Sequence, residues 1–486
     1  MKNRFSINGP CPFSKLSLFK TFHMISFKKP LLLSFVISSA AIAQQKPNII
    51  LINIDDMGWR DVGFMGSEYY ETPNLDALAA EGIIFTNAYA SASNCAPSRA
   101  SMLTGQWTPR HGIYTVDSSE RGRSEDRKLI PVKNTTVLPD DQNIIAQTLK
   151  DAGYATCHAG KWHVSEDPTD FGFDVNIGGT SAGNPGSYYP PYTRVPLDPP
   201  SPDYYLTDLI MDKTLEFLHS VGGEPFFLYY SPYAVHTPIH PVHDLLPKYE
   251  NKAPWKGQNN ADYATMVENL DIQVGRLISN LTKSKKLANT FILFISDNGG
   301  HYGVTKQLPL RSGKGSYYEG GIRVPMFAYW KGNIPAGVSS DVPVTMLDFF
   351  PTLLEVAGIA KPADKVLDGE SILPLLTAKG TIETRPLFWH FPVYLQAYMK
   401  EGDPTQDPLF RTRPGSAVRF GDWKLIQYFE YNDLELYNLK EDIGEKYNLA
   451  DSNPDKLKEL LTMLEEWREE IDAPVPTELN PEYAGE

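Results

Sequence analysis

The chain has 486 residues, 42% of them hydrophobic and 21% charged, with a formal net charge of −14. That length exceeds one simple core and predicts two domains, and the composition is that of a soluble globular protein. The acidic balance repels nucleic acid and anionic membranes, which excludes both as partners held by charge.

Lys2, Arg4, Lys15, Lys20, Lys28 and Lys29 stand in residues 1–43 without an acid, followed by an apolar run at 31–41 and the small-residue end Ala41-Ile42-Ala43. This pattern predicts a secretory signal over 1–43, too short to act as a membrane anchor, with Met24 as an alternative start. The mature protein is then exported, periplasmic or secreted. Losing six positive charges takes it to about −20, so a pocket for an anionic substrate must be locally basic. Cys11 leaves with the signal, and Cys157 reads as a buried strand residue.

Residues 48–54, NIILINI, form a nearly continuous apolar run that predicts a buried parallel strand, with Asp55 and Asp56 at its carboxyl end. Thr72-Pro73 opens a helix that Gly82 stops, and 83–89 predicts one strand leading to the segment SNCAPSRASMLTG at 93–105. A helix at 144–149 ends at Gly153, and a strand at 154–159 delivers Gly160-Lys161-Trp162-His163. A helix over about 205–218 precedes a strand at 225–230, which leads to Ala234-Val235-His236-Thr237-Pro238. A long helix over about 263–281 precedes a strand at 291–295 that ends in Ser296-Asp297-Asn298-Gly299.

This alternation predicts a large mixed, mostly parallel α/β sheet sandwiched by helices. Each polar motif falls past the carboxyl end of a strand, where open α/β sheets bind ligands. Residues 178–202, rich in Gly, Pro and Ser, predict an ordered loop over that site. Around Gly380 the pattern changes to short strands at 386–391, 417–420 and 424–429 and a closing helix at 454–471. The expected division is therefore a catalytic domain at 44–380 and a smaller C-terminal α+β subdomain at 381–486, an antiparallel sheet plus a helix.

Within 93–105, Cys95, Pro97, Ser98 and Arg99 lead into a helix closed by Gly105. A side chain at that entry faces free backbone N–H groups and the positive end of the helix dipole, where an anion binds. Arg99 adds a planar charged fork for a tetrahedral oxyanion. Taken alone, Cys95 also reads as a packed residue beside a capping loop. Asp55, Asp56, Asp297 and Asn298 offer hard oxygen ligands suited to Ca²⁺ or Mg²⁺ rather than zinc, and either pair alone also reads as a turn.

Cys-x-Pro-Ser-Arg followed by Leu-Thr-Gly resembles the signature of the type I sulfatases of the alkaline phosphatase superfamily, and the resemblance runs over nearly all of the chain after about residue 46. It implies that Cys95 is converted to formylglycine, whose hydrated aldehyde is the nucleophile, by a formylglycine-generating or sulfatase-maturing enzyme. It further implies a calcium site at Asp55, Asp56, residue 95, Asp297 and Asn298, with magnesium as the alternative. Arg99 would hold the nucleophile side, Lys161 and Lys314 would contact the sulfate, His236 would protonate the leaving alcohol, and His163 would be the base, with the two histidine roles open to exchange. The substrate expected is a sulfate ester on a sulfated saccharide.

Two other readings stand beside this: a phosphodiesterase or phosphonate hydrolase of the same superfamily, and a degenerate sulfatase that binds sulfated glycans. Trp59, Tyr188, Tyr189, His240, His301, His390 and Arg413 are candidates for sugar contact, each on a predicted loop, where packing is the competing role. Arg311, Glu319 and Arg323 divide between substrate contact and structural ion pairing. His111, His158, His219 and His243 read as structural. Asn134 and Asn280 lie in glycosylation sequons.

Overall fold

The computed structural model describes residues 45–485 except 141, 399–403 and 406–407, so the predicted signal and Cys11 lie outside the described residues. The apolar run Asn48–Ile54 (β1) is completely or almost completely buried because both of its faces are covered. Ile50, Ile52 and Ile54 pack on one side with the helices Pro73–Ala80 (α1), Leu206–Ser220 (α4) and Ala261–Lys283 (α5). Ile49 and Leu51 pack on the other with Cys95–Thr104 (α2), Ile145–Asp151 (α3) and Phe349–Ala357 (α6). The period-two alternation of a strand thus feeds two separate cores.

Seven more strands complete this sheet: Ile83–Phe85 (β2), Ala155–Gly160 (β3), Val175–Ile177 (β4), Phe226–Ser231 (β5), Thr290–Ser296 (β6), Met326–Trp330 (β7) and Val338–Ser340 (β8). Their order is β4-β3-β5-β1-β6-β7-β2-β8, and only β7 runs against the rest. The mixed, mostly parallel sheet between helices is the expected architecture. Its consequence is spatial: β3, β5, β1 and β6 are parallel neighbours, so the motifs that follow them share one sheet end, a span of about 15 Å at the usual strand spacing. Gly160 closes β3 with φ +113, and a Cβ there would lie 2.0 Å from the Ser231 carbonyl oxygen, so only glycine lets the two strand ends meet.

A second sheet follows, made of Leu387–Phe391 (β9), Gly415–Phe420 (β10), Trp423–Tyr428 (β11) and Asp433–Asn438 (β12), antiparallel in that order. Leu387, Trp389 and Phe391 face Tyr89, Tyr317, Tyr318 and Ile322, while Phe388, Val418 and Leu425 face Leu460, Leu464 and Trp467 of the helix Pro454–Glu470 (α7). Among the described residues no helix is long and apolar enough to cross a membrane.

The single strand expected at 83–89 is broken. Thr86 and Asn87 turn outward, the Thr86 N–H donating to the Ser340 carbonyl and the Asn87 amide to that of Asp341. Ala88–Tyr89 then pairs separately with Val344–Thr345. Both anchors lie more than 250 positions away, which local patterning does not register.

Candidate active site

Helix α2 begins at Cys95 itself rather than after a loop. Asn94 precedes it in extended conformation, its amide donating to Thr115 rather than capping the helix, and Pro97 supplies no N–H in the first turn. Gly105 ends it in the left-handed region at φ +69. The thiol of Cys95 therefore sits at the positive end of a ten-residue helix, buried, with the Lys314 ammonium 3.0 Å from Sγ and an Asp56 carboxylate oxygen 4.0 Å away. Burial acts to raise this thiol, but Lys161 and Lys314 outweigh it and bring it down to about 6.

The structure brings all the predicted catalytic and metal residues to this sheet end. Arg99, fully buried on α2, directs Nε and one Nη to the same Asp297 oxygen at 2.8 Å each. Its other Nη donates to the Lys161 carbonyl at 2.9 Å and to the Ser231 hydroxyl. One guanidinium thus ties α2 to the ends of β6, β3 and β5. Lys161 puts Nζ 2.9 and 2.8 Å from the two Asp55 oxygens and is itself buried. Lys314 reaches Asp56 at 2.6 Å, and the Asn298 amide nitrogen donates to Asp56 at 2.8 Å.

Burial raises Asp297 to about 6 even with Arg99 beside it, because the Asp55 and Asp56 carboxylates lie close. Asp56 is also buried, yet Lys314, His236 and Lys161 hold it well below the ordinary carboxylate range. The two histidines part in opposite directions. Burial, then Lys161, Arg99 and Lys314, push His163 well below the ordinary value. Burial and Lys314 also act against protonated His236, but Asp56 and Asp55 outweigh them and raise it. His236 Nδ1 lies 2.6 Å from the Thr237 carbonyl, a bond that makes Nδ1 the protonated nitrogen and turns Nε2 toward Asp56 at 3.5 Å. Asp56 and His163 both have positive φ, 59° and 68°, a backbone strain that concentrates at functional positions.

Asp55, Asp56, Cys95 and His236 each place one ligand atom within 4.8 Å of the others. His236 thus joins a cluster for which the sequence reading named it only as an acid. Asn298 Oδ1 is buried without a hydrogen-bond partner, a vacant acceptor beside three carboxylates. Hard oxygens dominate this set, which fits a hard divalent cation.

Around the centre, the candidates for sugar contact divide. Gly183, in the loop at 178–202, abuts the His163 ring, and the Tyr188 hydroxyl is shared between the carbonyls of Tyr233 and His236 at 2.5 and 2.9 Å. That loop packs on both histidines, and Tyr188 is a buried support. Trp59 is buried against Arg60 and Arg323, Tyr189 stacks on His243, and His240 meets the Tyr188 N–H. His390 is spent between Ser416 and the Pro474 carbonyl, and Arg413 on Glu430. His301 lies next to Lys314, whose backbone N–H donates to the Gly300 carbonyl, and its ring stacks on Tyr398.

Arg323 pairs with Glu319, and Arg311 donates to the Pro404 and Glu445 carbonyls, so both are structural. His111 and His158 are buried and hydrogen-bonded, as the structural reading expects. The Asn134 amide is fully engaged with residues 114–117, and that of Asn280 with His219. Sequence reasoning missed Tyr229 and Ser231, which help hold Arg99; they sit inside an apolar strand that reads only as core.

A family model described as Sulfatase matches residues 47–359, and one described as N-sulphoglucosamine sulphohydrolase, C-terminal, matches 313–472. A sulfatase of Formosa agariphila is 34% identical over an alignment of 488 residues, covering 85% of this chain and 86% of its own. The N-acetylgalactosamine-6-sulfatase of Sus scrofa is 33% identical over 394 residues, 74% of this chain and 72% of its own. The crystal structure of Ps i-CgsB in complex with k-i-k-neocarrahexaose is 30% identical with a TM-score of 0.71, over 87% of this chain and 93% of that one. A matched family model over most of the chain, relatives above 30% identity and a shared fold lead to one conclusion: this chain belongs to the type I sulfatase family of the alkaline phosphatase superfamily, the sulfuric ester hydrolases.

Proposed function

We propose that this chain is an exported sulfatase that removes sulfate from a sulfated saccharide, with residue 95 matured from cysteine to formylglycine by a dedicated maturing enzyme, and with Ca²⁺ bound beside it. The observation that carries this is the placement of Cys95 at a helix N-terminus, 3.0 Å from Lys314 and amid Asp55, Asp56 and His236. The saccharide rests on the names of relatives, an N-acetylgalactosamine-6-sulfatase and a protein solved with a neocarrahexaose.

Formylglycine at residue 95 would supply a hydrated aldehyde, one hydroxyl as a nucleophile for sulfur and the other as the group whose deprotonation lets sulfate leave and the aldehyde return. Asp55, Asp56, Asp297 and Asn298 would hold the cation, which supplies Lewis-acid polarisation of a sulfate oxygen, with Mg²⁺ the alternative ion. Lys314 and Lys161, each held on an active-site carboxylate, would contact the sulfate oxygens through charge-assisted hydrogen bonds. His236, with Nδ1 fixed on Thr237 and its protonated form favoured by Asp56, gives a proton to the leaving alcohol oxygen from Nε2. His163, kept neutral by burial and three cations, takes the proton from the side chain of residue 95 when sulfate leaves. Arg99 holds the helix that carries residue 95 and the carboxylate of Asp297 in register.

Peptide mass spectrometry of protein from its native host tests the nucleophile. The mass deficit of thiol-to-aldehyde conversion at residue 95 is the expected result, and unmodified cysteine in a chain active on sulfated sugars overturns it. A matched aryl sulfate and aryl phosphate then test the reaction: preference for the phosphate favours the phosphodiesterase reading.

A further inference from the structure

Arg411 is a buried cation that the chemistry above does not use. It lies on the short strand Phe410–Thr412, which pairs with Leu395–Gln396, and is only 6% exposed. Its Nε donates to the Gln396 carbonyl at 3.0 Å and one Nη to the Lys314 carbonyl at 3.3 Å. Among the described residues it has no carboxylate partner, whereas the buried guanidiniums of Arg99, Arg323 and Arg413 face Asp297, Glu319 and Glu430. A desolvated charge without a counter-ion is costly, and its persistence beside a binding site marks a place reserved for an anion.

Its position says which anion. The carbonyl that Arg411 grips belongs to Lys314, whose ammonium lies 3.0 Å from Cys95 Sγ. A Cβ on Gly315 would lie 2.9 Å from the Arg411 Nη, so glycine there gives the guanidinium its room beside the centre. The guanidinium carbon lies 3.4 Å from the ring centroid of Tyr398, and that ring stacks on His301 at 3.8 Å and 26°. The guanidinium and two rings thus form one stack, whose Tyr398 is 39% exposed. The His301 ring is oriented locally, its Nδ1 accepting the Gly303 N–H at 3.1 Å.

We infer that Arg411, held by Tyr398 and His301, is a substrate-binding residue that receives a second anionic substituent, a sulfate or a carboxylate, on the saccharide whose sulfate ester is hydrolysed at residue 95. The substrate class is thus a saccharide with at least two acidic groups. A planar fork suits both oxyanions by bidentate contact. This deepens the sulfatase reading and rests on it.

The test is calorimetric titration of the full chain carrying Cys95→Ser, which binds without turnover, alone and combined with Arg411→Gln or Arg411→Lys. The probes are a hexose monosulfate, the same hexose as a disulfate, and a monosulfated disaccharide with a uronate. The parent binds a dianionic probe more tightly than the monosulfate, and Arg411→Gln removes about 10- to 100-fold of that preference, the worth of a charge-assisted hydrogen bond. Arg411→Lys retains part of it, which a folding defect would not produce. The probe with the larger loss separates sulfate from carboxylate. A preference unchanged in Arg411→Gln, or absent from the parent, overturns the inference and leaves the reading of Cys95 standing. Failure of the parent to bind any sulfated sugar overturns the saccharide reading and the inference together.

Discussion

Arg99→Met keeps the length of the side chain and deletes its charge at the point where α2, β3, β5 and β6 meet. Measured on protein treated with EDTA, so that the carboxylates keep the partners seen here, the loss has two parts. Losing the hydrogen bonds to the Lys161 carbonyl and the Ser231 hydroxyl costs about 1 kcal/mol each, about 2 kcal/mol together, at any pH. The second part is electrostatic. Burial already raises Asp297 to about 6 with Arg99 in place, and without it the carboxyl moves higher still. An acid whose folded value lies above its unfolded one binds a proton more tightly when folded, so stability falls as pH rises through that window. Above pH 6 the parent has lost that slope and the variant has not, so the deficit grows by about 1.4 kcal/mol per pH unit. It is about 2 kcal/mol at pH 6 and about 5 kcal/mol at pH 8, the upper range for breaking a buried ion pair. Urea unfolding followed by tryptophan fluorescence at both pH values reads it directly. A deficit equal at the two, or below about 1 kcal/mol at pH 8, refutes the assignment of Arg99 as the counter-ion of Asp297.

Chelation should abolish sulfate ester hydrolysis, and Ca²⁺ should restore it and stabilise the fold by about 2.7 kcal/mol at a hundredfold excess over its Kd. Asp56→Asn should remove that thermal shift, and a shift that survives it moves the site elsewhere. Burial pushes His111 and His390 down to about 3, so both stay neutral in the folded protein while the unfolded chain takes up protons below about 6.5. Stability should therefore fall as pH drops from about 6.5 toward 3, and His390→Gln should flatten the slope by about 1.4 kcal/mol per unit; an unchanged slope argues against a buried neutral ring. A Cβ on Gly299 would lie 1.9 Å from the Gly320 carbonyl oxygen, so Gly299→Ala should cost about 3 kcal/mol or more and displace Asn298. Wild-type melting of that variant would show that the loop can yield.

The parts of the site that were legible in the sequence are those where one segment carries both the fold signal and the chemistry. Residues 48–54 are a nearly continuous apolar run and 291–295 an unbroken one, each followed closely by an acid, so strand and ligand were read together. The Cys95 segment joins a helix start to an arginine. What stayed hidden is what depends on distant partners. Lys161 reads as a free sulfate contact, yet it lies on Asp55, 106 positions away. Tyr188, His390 and Arg413 have the composition of sugar-binding loops, but each meets an internal carbonyl, hydroxyl or carboxylate that no local pattern announces. Arg411 is the reverse case: it lies in no motif, and only its lack of an acid partner among the described residues singles it out.

That distinction bears on how a chain of net charge −14 handles an anionic substrate. The buried carboxylates of Asp55, Asp56 and Asp297 are matched one for one by Lys161, Lys314 and Arg99, within 3 Å in each pair. Such a set holds its geometry without creating a net field, because each charge is neutralised by its neighbour. Attraction for an anion has to come from charges outside these pairs. Within the pocket that would be a divalent cation held by the same carboxylates, and beside it Arg411, a buried guanidinium without a carboxylate partner among the described residues. Raising salt should therefore weaken the long-range attraction that draws the anion in from solvent more than the contacts it makes once seated among buried groups, since screening acts over separations beyond about 8 to 10 Å and reaches buried pairs much less. An apparent KM that rises with salt while kcat holds is the expected division. A fall in kcat with constant KM would place the salt-sensitive charges among the three buried pairs.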